Sequence, residues 1–418
     1  MSVEIVAIGN ELLLGETVDT NSAHLARRLA EIGARVTRVT VVGDDRSRIR
    51  AALEEARSRT PWVITTGGLG PTRDDLTRSV VAEVFGLPLE IDEEILAVLE
   101  ERFRSFGYDS MPPSNRSQAE VPRGARPIPN AHGTAPGLIV TDEKGTVFVL
   151  PGVPAEMKGL LEEGVLPELL AARDEGAPVV HSRVVRTAGI GESALAERLD
   201  ETLSDPGPIE IAFLPHRGRV DVRLTLAGFP EDETDRRLDA LASTMARCAE
   251  PWCYGTDDRT LAGAVGDALV ARGWTLATAE SVTAGELSAE ITAVPGSTAW
   301  FVGGVVAYAN SVKEALLRVP PRTLERHGAV SEETCRAMAS GVRAALSADV
   351  GCAITGVAGP GGGSPEKPVG LVWIGVETPG GAAVRRFDYP GDRAEVRDRA
   401  TASALAFLWR RLRDGGER

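Results

Sequence analysis

Histidine and cysteine are scarce in this chain of 418 residues, with five of the first and four of the second. Cys248, Cys253, Cys335 and Cys352 form no C-x-x-C pair and have no matching histidine spacing. That pattern argues against a zinc site of the Cys/His kind and reads as reduced, mostly buried thiols. Any metal is therefore expected on carboxylates. Long apolar runs are missing too: nothing approaches the eighteen or so residues of a membrane span, and Met1 leads straight into the strand-like Val3 to Ile8 without a basic segment. No membrane partner is expected, and the expected compartment is the cytoplasm. Basic charge is likewise short. Lys and Arg number 46 against 60 Asp and Glu, a net charge of −14, which opposes attraction to phosphate backbones and anionic lipid. A nucleic-acid partner is not expected.

What remains is an ordinary globular composition, 43% hydrophobic and 25% charged, over a length that favours two or three domains. To about residue 171, β-branched runs alternate with amphipathic stretches, which implies a parallel sheet covered by helices. Helices are expected over Asp74 to Phe85 and Asp92 to Phe106. A Pro-rich stretch from Met111 to Pro136 follows, a long loop of the kind that usually serves a site. From 172 to about 255 the order strand, helix, hairpin, helix describes a small α+β, KH-like module after a polar linker, Ala172 to Pro178. Its arginines, including Arg217 and Arg219, are matched by acids. From 256 to the end the α/β alternation returns, and the last residues, Gly415 to Arg418, are expected to fray. The expected fold class is α/β, two three-layer α/β domains joined by the small module.

Within the third segment, Thr275 to Glu286 passes from an apolar strand into a helical pattern. Thr283 and Glu286 have the spacing of a capping box, with Thr283 as N-cap. Ser281 then lies just outside the helix, where free backbone N–H groups can stabilise an oxyanion. The plainer alternative is a loop serine that helps cap the helix. Val305 to Lys313 is a second strand-to-helix passage, placing Tyr308 at the sheet edge where ligands bind in open α/β folds. Lys313 can act as base to Ser281 if burial keeps it partly neutral; otherwise it is a solvated surface lysine. A third element, Ala353 to Gly370, is rich in glycine after a buried strand and suits close approach to an anion, though it matches neither a P-loop nor a dinucleotide fingerprint.

The first segment has its own candidates. Thr65 to Asp75 follows a buried strand, and its glycines let backbone meet a phosphate while Asp74 and Asp75 bind a divalent ion, or else merely favour a helix N-terminus. Gly9 to Gly15 and Asp19 to Ser22 put Glu11 and Asn21 within reach of the same crevice, with Thr20 or Asn21 alternatively a simple N-cap.

Several spaced motifs together resemble one family, the CinA (competence/damage-inducible protein A) proteins. They are Ala279-Glu-Ser281-Val-Thr283, Pro295-Gly-Ser297, Tyr308 with Asn310 and Lys313, His327 to Ser331, Thr355 to Pro360, Glu366 to Gly370, Pro390 to Arg393 and, early on, Pro151 to Lys158. The resemblance covers almost the whole chain. It implies nicotinamide mononucleotide (NMN) amidase activity in the last segment, releasing nicotinic acid mononucleotide and ammonia, with Ser281 as nucleophile and Lys313 as base. Thr283, Tyr308, Asn310, Thr355, Gly356 and Arg393 or Arg397 would bind substrate, and no cofactor is implied there. For the first segment it implies a molybdopterin-binding-like domain acting as a metal-dependent ADP-ribose pyrophosphatase. Its site would comprise Glu11, Asn21, Thr66, Gly67, Gly68, Asp74, Asp75 and Lys158, with the divalent ion on Asp74 and Asp75. A homodimer is implied as well. Where the family commonly has Glu-Ser-Cys-Thr-Gly-Gly, this chain has Val282 for Cys and Ala284 for the first Gly. Two other readings stay open: a pyrophosphatase alone, and a nucleotide- or pterin-binding regulator without turnover.

Overall fold

A computed structural model describes residues 1–173, 179–216 and 218–413. Part of the expected linker (174–178), Arg217 and the expected frayed end (415–418) lie outside them. The chain divides into two compact units, Met1–His181 with Leu226–Asp235, and Ser182–Thr225 with Arg236–Arg418.

The first unit is built on a six-stranded sheet in the order Arg35–Val42, Ser2–Ile8, Trp62–Thr66, Gly145–Leu150, Gly137–Asp142, Arg126–Ile128. The first four strands run parallel and the last two join antiparallel. Alternation along each strand sorts the side chains into two layers. Ile5, Ile64, Phe148 and Leu150 pack on one face with Leu25 and Leu29 of the Thr20–Glu31 helix. Val6, Val63, Val147 and Val149 pack on the other with Ile49 and Leu53 of the Arg46–Arg59 helix. The helices after the first and second strands thus cover opposite faces, and their connections diverge above the strands' carboxyl ends, where open α/β sheets bind ligands.

Most residues of a four-stranded sheet, Glu210–His216, Arg219–Phe229, Val179–Ala188, Cys253–Thr256, fall in the second unit, which also holds a five-stranded one. The five run Phe301–Val306, Leu276–Glu280, Val350–Gly356, Leu371–Thr378, Gly381–Asp388. The first three are parallel and the last two antiparallel. Leu276, Val350, Ile354, Val372 and Ile374 face the Leu261–Val270 and Arg393–Arg413 helices. The small residues Ala277, Ala279 and Ala353 let the Glu332–Ala345 helix lie close on the opposite face. Again the two helices leaving adjacent strands part company: Leu287 and Ile291 join one layer, Leu317 the other. Among the described residues, no helix is long and apolar enough to cross a membrane.

Candidate functional site

In the second unit the Leu276–Glu280 strand lies beside Phe301–Val306. Register pairs Glu280 with Val306 and with Ile354, so the residues that follow, Ser281 and Ala307-Tyr308, emerge side by side. Ser281 is 8% exposed and Lys313, four residues into the Asn310–Leu317 helix, is wholly buried. The Lys313 amine lies 3.2 Å from Ser281 Oγ, 2.7 Å from the carbonyl of Ala307 and 3.0 Å from that of Tyr308. The solvated-surface alternative for this lysine is thereby excluded. Burial alone pushes its pKa down to about 8. Two of the three partners can only accept. A neutral amine therefore donates both its hydrogens to the carbonyls and turns its lone pair toward the one partner able to donate, the Ser281 hydroxyl.

The capping expectation is overturned. The helix after Ser281 spans only Glu286–Thr292, and its N-cap is Gly285 in left-handed conformation, not Thr283. The Thr283 hydroxyl donates instead to Glu280, whose carboxylate also takes the amides of Gly285, Leu287 and Ser288. A carboxylate one strand position before the serine fills the role assigned to Thr283 because it reaches both oxygens across the turn. The N–H of Ser281 is not free either, donating to Ile354 O at 3.0 Å. Among the described residues, the N–H groups of Val282, Thr283 and Ala284 have no protein acceptor, so the backbone donors lie just beyond the serine and not at the helix terminus. Ala284 sits at φ 52, the left-handed region that costs an L residue with a side chain about 1–2 kcal/mol.

The remaining expected residues divide. Arg393 donates to Gly359 O at 2.8 Å and lies 3.3 Å from the Tyr308 hydroxyl, joining the glycine-rich loop to the exposed tyrosine. Asn310 is exposed at the first position of the lysine's helix. Arg397 reaches Thr283 O at 3.1 Å and pairs with Glu286 at 2.5 Å, bracing the serine loop from outside. Thr355 is fully buried with its hydroxyl on Ala329 O at 2.8 Å, tying its strand to the segment before the Glu332–Ala345 helix. Gly356 ends the Val350–Gly356 strand, where a Cβ would stand 2.7 Å from Leu371 O.

In the first unit a crevice of 430 Å³ opens above Ile8, Gly67, Gly68 and Gly70. Five acids line it: Glu11, Asp44, Asp74, Asp75 and Glu156. Gln118, Thr134 and Ala135 of the Pro-rich stretch complete the wall. Gly67 takes φ 109 with its missing Cβ aimed at Ile8 O, so no side chain fits there. The expected helix from Asp74 starts later, at Thr77, because Asp75 closes the preceding turn, accepting the amides of Gly70 and Thr72 at 2.8 Å each. Asp74 is exposed, its carboxyl held below the usual carboxylate range by the Thr72 side chain, whose hydroxyl also donates to Asp75. Asn21 donates to Thr66 Oγ1 at 3.0 Å and Gly152 O at 2.8 Å, lining a smaller recess beside Glu11. It is the second residue of the Thr20–Glu31 helix, whose cap is Asp19. Lys158 is exposed and lies near His24; from that helix it is Glu156 that lines the crevice. Among the described residues, no three carboxylate, histidine or cysteine groups converge as a closed metal cage requires.

Sequence reasoning passed over Glu280, although its place in Glu-Ser-x-Thr carried the signal. It also passed over Arg78, a buried guanidinium beneath the glycine loop that donates to Ser117 O at 2.8 Å.

The fold is that of an α/β protein whose two larger sheets each carry candidate site residues where helices leave neighbouring strands for opposite faces. Its regions match three domain families: a probable molybdopterin binding domain over residues 4–171, a damage-inducible protein CinA KH domain over 182–255, and a CinA C-terminal domain over 258–412. A CinA-like protein of Gemmatimonas aurantiaca is 46% identical over 100% of this chain and 98% of its own length. One from Thermosynechococcus vestitus is 44% identical over 99% of each. A crystal structure of the protein CinA from Thermoplasma acidophilum matches 40% of this chain and 97% of its own at 38% identity, with TM-score 0.37. The chain belongs to the CinA family.

Proposed function

We propose that the second unit hydrolyses the carboxamide of nicotinamide mononucleotide, with Ser281 as nucleophile and Lys313 as its base. The observation that carries this reading is the buried amine 3.2 Å from the serine oxygen, with two carbonyls occupying its hydrogens. Lys313 takes the hydroxyl proton as Ser281 Oγ bonds to the amide carbon. The oxyanion is met by the unpaired amides of Val282 to Ala284. Collapse breaks the C–N bond, ammonia leaves with the proton held by Lys313, and water, deprotonated by the same amine, releases the acid from the serine ester. Tyr308, exposed, and Arg393 beside it suit the ribose phosphate end. Purified protein given NMN should release ammonia, and Ser281→Ala should not; deamidation by that variant at the parent rate would refute the assignment.

A second activity is supported by the acidic crevice of the first unit, where we propose metal-assisted cleavage of ADP-ribose between its phosphates. The donors there are hard oxygens, and a Mg²⁺ ion that keeps most of its waters needs only one or two carboxylates besides substrate phosphates. Asp74, ionised and exposed, and Glu11 fit such an ion better than Asp75, whose oxygens are taken by its own loop. The bound ion would offset phosphate charge, while the backbone of Gly67 to Gly70 lets the phosphates approach closely.

A further inference from the structure

We propose that Glu280 is a positioning residue for the nucleophile: its carboxylate fixes the 281–285 loop so that the three amides following Ser281 stay unpaired. The inference rests on Ser281 being the nucleophile, as proposed above.

Glu280 is 1% exposed at the end of a central strand, and its backbone is locked on both sides, with its carbonyl accepting from Ala307 N at 2.7 Å. Its side chain folds back over the next turn and accepts five hydrogen bonds, from Thr283 Oγ1 at 2.8 Å, Gly285 N at 2.9 Å, Leu287 N at 3.1 Å, Ser288 N at 2.9 Å and Ser288 Oγ at 2.7 Å. A buried carboxylate next to a developing oxyanion would oppose it. Here its lone pairs are spent on donors, and what it contributes is geometry. The loop is pinned at one end by Ser281 N on Ile354 O and at the other by Gly285 N on Glu280, which leaves the amides between them, of Val282, Thr283 and Ala284, without a protein acceptor among the described residues. Ala284 at φ 52 is the independent sign that this span is held: a loop free to relax would not keep an alanine in the left-handed region.

Glutamine has the same shape, yet it replaces one acceptor oxygen with an NH₂ that must face an N–H donor, whichever way the amide is turned. Aspartate keeps both oxygens but falls a methylene short of the helix. Ser288→Ala is milder, removing one donor of the five and leaving the charge in place.

The test measures the labelling rate of Ser281 in the full-length chain by a fluorophosphonate probe from pH 6 to pH 10, with the site mapped by mass spectrometry and melting recorded alongside. Glu280→Gln should label about 10- to 100-fold more slowly, with the midpoint of the pH profile unchanged. Ser288→Ala should fall between that variant and the parent, at a melting temperature near the parent's. On NMN the loss should appear in kcat and leave KM close to the parent value. Labelling of both variants at the parent rate overturns the inference, and so does a slowed rate with a displaced midpoint, which would mean that Glu280 acts on the lysine's proton. If Glu280→Gln does not fold, Ser288→Ala and Thr283→Val decide by the same criteria. Failure of the parent chain to label at Ser281 would instead strike the nucleophile assignment itself.

Discussion

Lys313 makes the pH dependence of the proposed amide hydrolysis the sharpest quantity to measure. Its amine is wholly buried with no carboxylate partner among the described residues, and desolvation brings its pKa from 10.5 to about 8. At pH 7 roughly one molecule in ten then holds the neutral base, against roughly one in 3,000 for an unperturbed lysine, a gain of about 300-fold in competent enzyme. The rate of ammonia release under kcat/KM conditions should climb about tenfold from pH 6 to 7, bend near 8 and level off above 9. Lys313→Arg, which stays charged, should lose on the order of 10³-fold and show no such bend. Stability should carry the same signature with its sign fixed by linkage. Because the folded pKa lies below the unfolded one, the unfolded chain binds more protons between about 8 and 10.5, so stability rises with pH across that window. The size is roughly 3 kcal/mol at about 1.4 kcal/mol per pH unit. Lys313→Met lacks that slope whatever its lost hydrogen bonds cost, since that loss does not vary with pH. A parent profile flat from pH 6 to 10, or one rising only near 10.5, would refute the reasoning.

Other outcomes follow from single contacts. Ala284→Gly removes a Cβ from a left-handed residue and should stabilise the second unit by about 1 kcal/mol, read as a raised midpoint in urea, with deamidation no slower. Arg393→Ala loses the link between Tyr308 and the glycine-rich loop; the KM for NMN should rise about tenfold or more while kcat changes less. Asp74→Asn should abolish Mg²⁺-dependent cleavage of ADP-ribose, as EDTA should in the parent, and leave ammonia release from NMN untouched.

Short apolar runs and period-3.6 patterns carried most of the architecture, because strands such as Ser2–Ile8, buried on both faces, read as near-continuous runs bounded by amphipathic helices. The Gly381–Asp388 strand went unread for the opposite reason: it is an edge strand, largely exposed, whose pattern Gly-Ala-Ala-Val-Arg-Arg-Phe-Asp has no buried alternation. At the site, the strand-to-helix passages located Ser281 and Lys313, but the spacing Thr283 to Glu286 suggested a capping box that the chain does not form. Local spacing cannot register a competitor, and Glu280, anchored by pairing to two neighbouring strands, reaches the same amides first. The depth of Lys313 was equally illegible, since it depends on the turn at Ala307 folding over the amine.

The closure of Asp75 onto the Gly70 and Thr72 amides bears on how knock-outs of this acidic crevice should be interpreted. An Asp75→Ala chain that no longer cleaves a pyrophosphate would have lost the clasp of its glycine turn, so the defect would speak of a collapsed backbone cradle before it said anything about an ion. Adding excess magnesium should rescue a weakened metal ligand and leave that chain unrescued, which separates scaffold from ligand for two neighbouring aspartates that look interchangeable on paper.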